Sequence, residues 1–274
     1  MRRSTTSVGT ERSLLGLLLL AELILAATLV GTPAVGGPRI AAALTTPTVS
    51  LPASSTLSLP YGRTAQFIGL GEHTAPLLTR IGGQIGDAAQ AVTEFWGTDW
   101  PRDIVVVAAG SDEQFAALAG GGADIAAATT AERIVFAPGA AAMSDAALRI
   151  VLRHELFHYA TRAATASDAP RWLTEGVADF IARPHTARPQ QAASLAALPT
   201  DADLERADAA RSPAYDRAWW FSRFVVDRYG TAALRALYLN ACGAGHPGVE
   251  TAVRETLGAD MDEVLTRWRQ WLTG

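Results

Sequence analysis

The segment VLRHELFHY at residues 151–159 sets His154 and His158 four residues apart, with Glu155 directly after the first histidine. On an α-helix, residues i and i+4 share a face, so both imidazoles reach one point and the glutamate stands beside them. Leu152, Leu156 and Phe157 surround them with apolar side chains, so such a helix has to be enclosed by other elements. The arrangement suits a zinc site in which the histidines bind the metal and the glutamate takes a proton from metal-bound water. A solvated or core-satisfied histidine pair fits the same local sequence. With 5 His and 12 Glu among 274 residues, a chance HExxH arises in roughly one such chain in 250, so the motif carries weight before any context is added.

Composition limits what can surround it. Apolar residues make up 49% and charged residues 18%, enough for a packed core and too little charge for a disordered chain. All 23 basic residues are arginine, the net charge is -4 and no basic block occurs, which argues against nucleic acid as a partner. The single cysteine, Cys242, excludes an internal disulfide framework and a cysteine-based zinc site; it is expected to be a packing residue.

The N-terminal residues 1–35 read as a targeting segment. Arg2, Arg3 and Arg12 precede the apolar run SLLGLLLLAELILAATLV at residues 13–30, which is longer than the core of an ordinary signal peptide and close to a membrane span. Either a cleaved signal peptide or a retained signal anchor exports the remainder of the chain, with the N-terminus inside. Ala34-Val35-Gly36 offers a small-x-small cleavage site, and Glu22 would be costly in a permanent span. The expected location is therefore the cell membrane with an extracytoplasmic domain, or secretion if the segment is cut. Residues 36–60, with prolines at 38, 47, 52 and 60 among Ser and Thr, read as a spacer, leaving 61–274 as the globular domain.

Within that domain, residues 63–69 and the β-branched run DIVVVAA at 103–109 predict strands, and 75–96 carries helical spacing. A short helix is expected at 112–118, a Gly-rich loop at 120–124 and a further strand at 132–137, closed by Pro138. Ser144 then caps a helix running to about Thr161, and a second helix comes after it at 170–181. Helices are also expected near 189–197, 213–229, 231–240, 247–257 and 260–272, with loops at 183–191 and 201–213. The predicted class is α+β, a small mixed sheet succeeded by a mostly helical lobe.

Zinc needs a third protein ligand if one position is to stay open, and Glu175 stands seventeen residues after His158 in WLTEGVAD. Together, HELFH and WLTEGVAD resemble the gluzincin metallopeptidases, specifically the peptidase MA-like group with its HExxH and downstream WLxEG pattern. The resemblance runs from the strand near 132 to Gly230, where AYDRAWWFSRFVVDRYG is similar to the family's next helix. It implies a zincin-like fold, one zinc ion held by His154, His158 and Glu175, and Glu155 as general base. It further implies that Asp179, four residues beyond Glu175, accepts the other ring N–H of His154. Tyr215 is the candidate oxyanion donor by the same resemblance, and packing of Tyr215 with Trp219 and Trp220 is its alternative. Trp172 and Gly176 are expected to be structural, the glycine letting the two site helices approach closely.

His73, His185 and His246, in predicted loops beside Gly or Pro, are expected at the surface. The strand at 132–137 is a candidate edge for an extended peptide. The resulting expectation is a zinc peptidase acting on a peptide or protein substrate, membrane-associated through its N-terminal segment. Hydrolysis of another amide, such as one in the cell wall, and a catalytically silent scaffold are the alternatives. Oligomeric state is not expressed in the sequence.

Overall fold

The computed structural model describes residues 54–120, 125–188, 197–206 and 211–273. The N-terminal targeting segment, most of the spacer, residues 189–196 of the helix expected at 189–197 and much of the loop at 120–124 lie outside them. Five strands form one sheet: β1 (Ser54–Leu59), β2 (Arg63–Leu70), β3 (Asp103–Ala109), β4 (Ala127–Thr129) and β5 (Ile134–Phe136), in the order β1-β2-β3-β5-β4. The β2–β3 and β3–β5 pairs are parallel, and the outer pairs β1–β2 and β4–β5 are antiparallel. This is the small mixed sheet the sequence predicts, with helices after it.

Two expectations about the sheet are corrected. The residues assigned to the end of the spacer form β1, because SSTLSL alternates and lies at an edge, where Leu59 alone need be buried and the hydroxyl side chains of Ser54, Thr56 and Ser58 are exposed. The strand at 132–137 shrinks to β5, which is flanked on both sides. The edge on that side of the sheet is β4, too short and too Ala-rich to show a β pattern in the sequence.

Period-two alternation divides the sheet between two cores. Ala65, Phe67, Ile104, Val106, Ala108, Ile134 and Phe136 face the main core. Val107, Ala109, Ala128, Val135 and Ala137 face a smaller one closed by Phe115 of α3 (Asp112–Ala119), whose N-terminus Ser111 caps by accepting from the Gln114 N–H. The helical stretch expected at 75–96 is two helices, α1 (Ala75–Gly82) and α2 (Ile85–Trp96), separated at Gly83, since adjacent glycines weaken a helix by about 1 kcal/mol each.

On the main-core side α2 packs against α4 (Asp145–Thr161), which packs in turn on α5 (Arg171–Ala182), and α5 on α7 (Arg211–Tyr229). Between them α6 (Asp201–Leu204) is a short helix within the loop expected at 201–213, closed by a capping box in which Thr200 and Asp203 bond reciprocally. The remaining helices are α8 (Thr231–Cys242), α9 (Val249–Leu257) and α10 (Met261–Thr273). Cys242 is fully buried and burial pushes its thiol up to about 12, so it is the inert packing residue expected. Among the described residues, no helix is long and apolar enough to cross a membrane.

Candidate metal centre

Helix α4 is fixed at both ends before it presents any chemistry. At its start the Ser144 hydroxyl accepts from the Ala147 N–H, worth about 1 kcal/mol. Arg80 pairs with Asp145 at 2.8 Å and donates to the carbonyls of Ala141 and Met143. Further along, the Tyr159 hydroxyl donates to the Asp103 carbonyl at 2.7 Å, tying the helix to β3. Phe157 packs edge-on against Phe95, Trp96 and Tyr238. The enclosure that the apolar neighbours of HELFH demand is thus supplied by α2, β3 and α8.

One turn of this helix and the first turns of α5 bring His154, His158 and Glu175 together. The two Nε2 atoms stand 3.0 Å apart, and Glu175 Oε2 lies 3.2 Å from His154 Nε2 and 3.4 Å from His158 Nε2. A tetrahedral ion with bonds of about 2.0–2.2 Å has ligand-to-ligand edges of about 3.3–3.6 Å, so these three atoms approximate one face of such a tetrahedron. The donor set also fits. His154 Nδ1 is 2.8 Å from Asp179 Oδ1, which places the ring proton on Nδ1 in the neutral form and leaves the Nε2 lone pair aimed at the triad. The group could hold a metal ion.

Its electrostatics favour positive charge among the carboxylates. His154, Glu155, Glu175 and Asp179 are all buried, and buried charges persist only when paired or metal-bound. Burial by itself lowers the His154 pKa, yet the ring's hydrogen bond to Asp179 and the adjacent carboxylate charges of Asp179 and Glu175 outweigh it and hold the imidazole at about 10. Burial likewise raises Glu175, but the charges of His158 and His154, both imidazoles lying close to its Oε2, override it and hold the carboxyl at about 2.

Glu155 is placed differently from the triad. It is fully buried, and burial raises its pKa against the opposing charges of His154 and His158. Its Oε2 lies 2.7 Å from the Thr129 hydroxyl, which is also 2.9 Å from the Glu155 carbonyl, while Oε1 is buried with no hydrogen-bond partner. Thr129 ends strand β4. No sequence signal marks it, because a three-residue strand 26 positions upstream meets α4 only in three dimensions.

Of the other candidates, Asp179 lies against His154. Tyr215 is buried in the main core on α7, and the distances that define the triad do not involve it. Trp172 packs edge-on against Phe221, as a structural residue should. Gly176 makes its close approach to α7 and not to the other site helix α4: a Cβ there would lie 2.5 Å from the Ala218 carbonyl oxygen. His73 and His185 are exposed as expected. His246 is half-buried instead, with Nδ1 3.0 Å from the Pro247 carbonyl and Nε2 3.4 Å from Asp168.

No family model and no curated protein matches the chain. Among solved structures it is similar to a mutant of a two-domain M1 zinc metallopeptidase bound to L-arginine, with 16% identity, coverage of 81% of this chain and 51% of that one, and a TM-score of 0.45. The chain therefore spans about half the length of that protein. The likeness is too distant to carry an assignment, which rests on the side chains.

Proposed function

We propose that the chain is a zinc-dependent peptidase of the gluzincin kind, zincin-like in fold, with one zinc ion held by His154, His158 and Glu175. The observation that carries this is the triangle of two imidazole nitrogens and one carboxylate oxygen 3.0–3.4 Å apart, with a further buried carboxylate beside it on the same helix. Zinc bound there supplies a Lewis acid that polarises a carbonyl and acidifies water. Glu155, kept out of bulk solvent, where burial raises its pKa, takes the proton of the attacking water and passes it to the leaving amine. Asp179 holds the tautomer of His154. Tyr215, on the helix that backs α5, is the candidate donor to the carbonyl oxygen. The edge strand β4, whose Thr129 touches Glu155, is the proposed track for an extended peptide. The apolar run at residues 13–30 supports export, with the peptidase outside the cytoplasmic membrane and either anchored or released.

Zinc content and cleavage of a denatured protein, measured side by side, test the assignment. The wild-type full chain should carry about one zinc, and Glu175→Ala should lose it together with turnover. A wild type that takes up no zinc after supplementation would sink the peptidase assignment. Bound zinc with no turnover on any unfolded substrate would favour the scaffold or cell-wall alternative. A fragment starting at Tyr61 is unsuitable, since it removes β1 from the sheet.

Thr129 gives a finer prediction. Its hydroxyl donates to a buried carboxylate, a bond worth about 1.5–3 kcal/mol, so the near-isosteric Thr129→Val should lower kcat by about 10- to 100-fold at unchanged zinc content, and Thr129→Ser should restore most of it. Equal kcat in the valine variant would show that Glu155 is aimed by other groups.

A further inference from the structure

We propose that Arg183 is a positioning residue of the metal centre, holding the Asp179 carboxylate against His154 and so fixing the aim of that imidazole. The inference rests on the zinc assignment above. Asp179 is buried and uses Oδ1 on His154. Its other oxygen stands 2.7 Å from Arg183 Nη2, a close ion pair rather than an aligned hydrogen bond. Without that cation a buried carboxylate oxygen would face apolar surroundings, and turning the carboxyl toward water would withdraw it from His154.

The guanidinium is itself held from two further sides. Its Nη1 donates to Asp216 Oδ1 at 2.6 Å, on α7, and it lies over the Trp219 ring at 5.0 Å. Its backbone N–H donates to the Asp179 carbonyl at 2.9 Å, capping α5 at the end where a positive charge also favours the helix dipole. The result is a chain of contacts from His154 through Asp179 and Arg183 to Asp216. A planar fork can hold two carboxylates in fixed directions, whereas an ammonium cannot. Nothing in WLTEGVAD points to this residue, because its second carboxylate comes from a helix 33 positions downstream.

The test compares zinc affinity, by chelator competition on the full chain, with the visible spectrum of the cobalt-substituted protein. Arg183→Met keeps the apolar stem and removes the charge. It should weaken zinc binding about tenfold, toward the low end of the range for groups that orient a metal ligand, and alter the cobalt spectrum. Lysine at the same position should restore the affinity only in part. Asp216→Asn, at a partly exposed site away from α5, should weaken binding in the same direction by less. In an Asp179→Asn background Arg183→Met should cost no more than about twofold further, because the carboxylate it positions is gone.

Zinc affinity and cobalt spectrum unchanged in Arg183→Met, or a full additional loss in the Asp179→Asn background, would overturn the proposal while leaving the zinc assignment intact. If Arg183→Met fails to fold, Asp216→Asn decides, with unchanged affinity counting against the proposal and weakened affinity for it. A wild type without zinc would remove both conclusions together.

Discussion

Glu155→Gln is expected to retain about one zinc per chain and to lose peptide hydrolysis by about 10²- to 10⁴-fold, the usual contribution of a positioned general base. The replacement has the same shape, and Glu155 is not among the three atoms that converge on the metal position. The amide oxygen can still accept from the Thr129 hydroxyl, so the side chain has no reason to move. What disappears is the capacity to accept a proton. The fold should not suffer, because burial already disfavours the charged form of this carboxyl and a neutral amide avoids that cost. Metal analysis and single-substrate kinetics on the same preparation check the prediction. Activity within tenfold of wild type would remove Glu155 from the chemistry, and loss of zinc would show that it supports the ligand set directly.

Gly176→Ala is expected to destabilise the protein by about 2–3 kcal/mol, although alanine is the better helix former by about 1 kcal/mol. The new methyl group would lie 2.5 Å from the Ala218 oxygen, 2.8 Å from its carbonyl carbon and 2.9 Å from Ser222 Oγ. The two nearest atoms are backbone, so no side-chain rotation relieves them, and α5 must move away from α7. For a domain of this size such a loss lowers Tm by about 5–10 °C. Thermal unfolding of the metal-free protein measures it. Zinc affinity should fall in parallel, since Glu175 is the adjacent residue on the displaced helix. Trimming Ser222 to alanine should not rescue the variant, because the backbone clash remains. A Tm equal to or above that of wild type would mean that the helices are not so tightly pressed together.

The candidate site was unevenly legible. His154 and His158 could be paired from spacing alone because an α-helix fixes which residues share a face, and Asp179 could be placed on the face of Glu175 for the same reason. Bringing Glu175 to the histidines required a resemblance, as nothing local states how two helices cross. Thr129 and Arg183 were invisible for a related reason: each acts through a partner on another element, and their own surroundings in the chain are ordinary. Gly176 was recognisable as a close-approach residue, but its neighbour is the helix carrying Ala218 and not α4.

The strands show the same division. DIVVVAA announces β3 because a buried strand needs a continuous β-branched run. The outer strands carry no such signal: β1 was hidden by its Ser and Thr, and β4 by its three residues. Local spacing therefore determined the elements with strong periodicity and the pairing of side chains within one helical turn. Strand order, the identity of the open edge and the packing of α5 on α7 were decided only by the tertiary structure, because they depend on contacts between residues tens of positions apart that have no short-range expression in the chain.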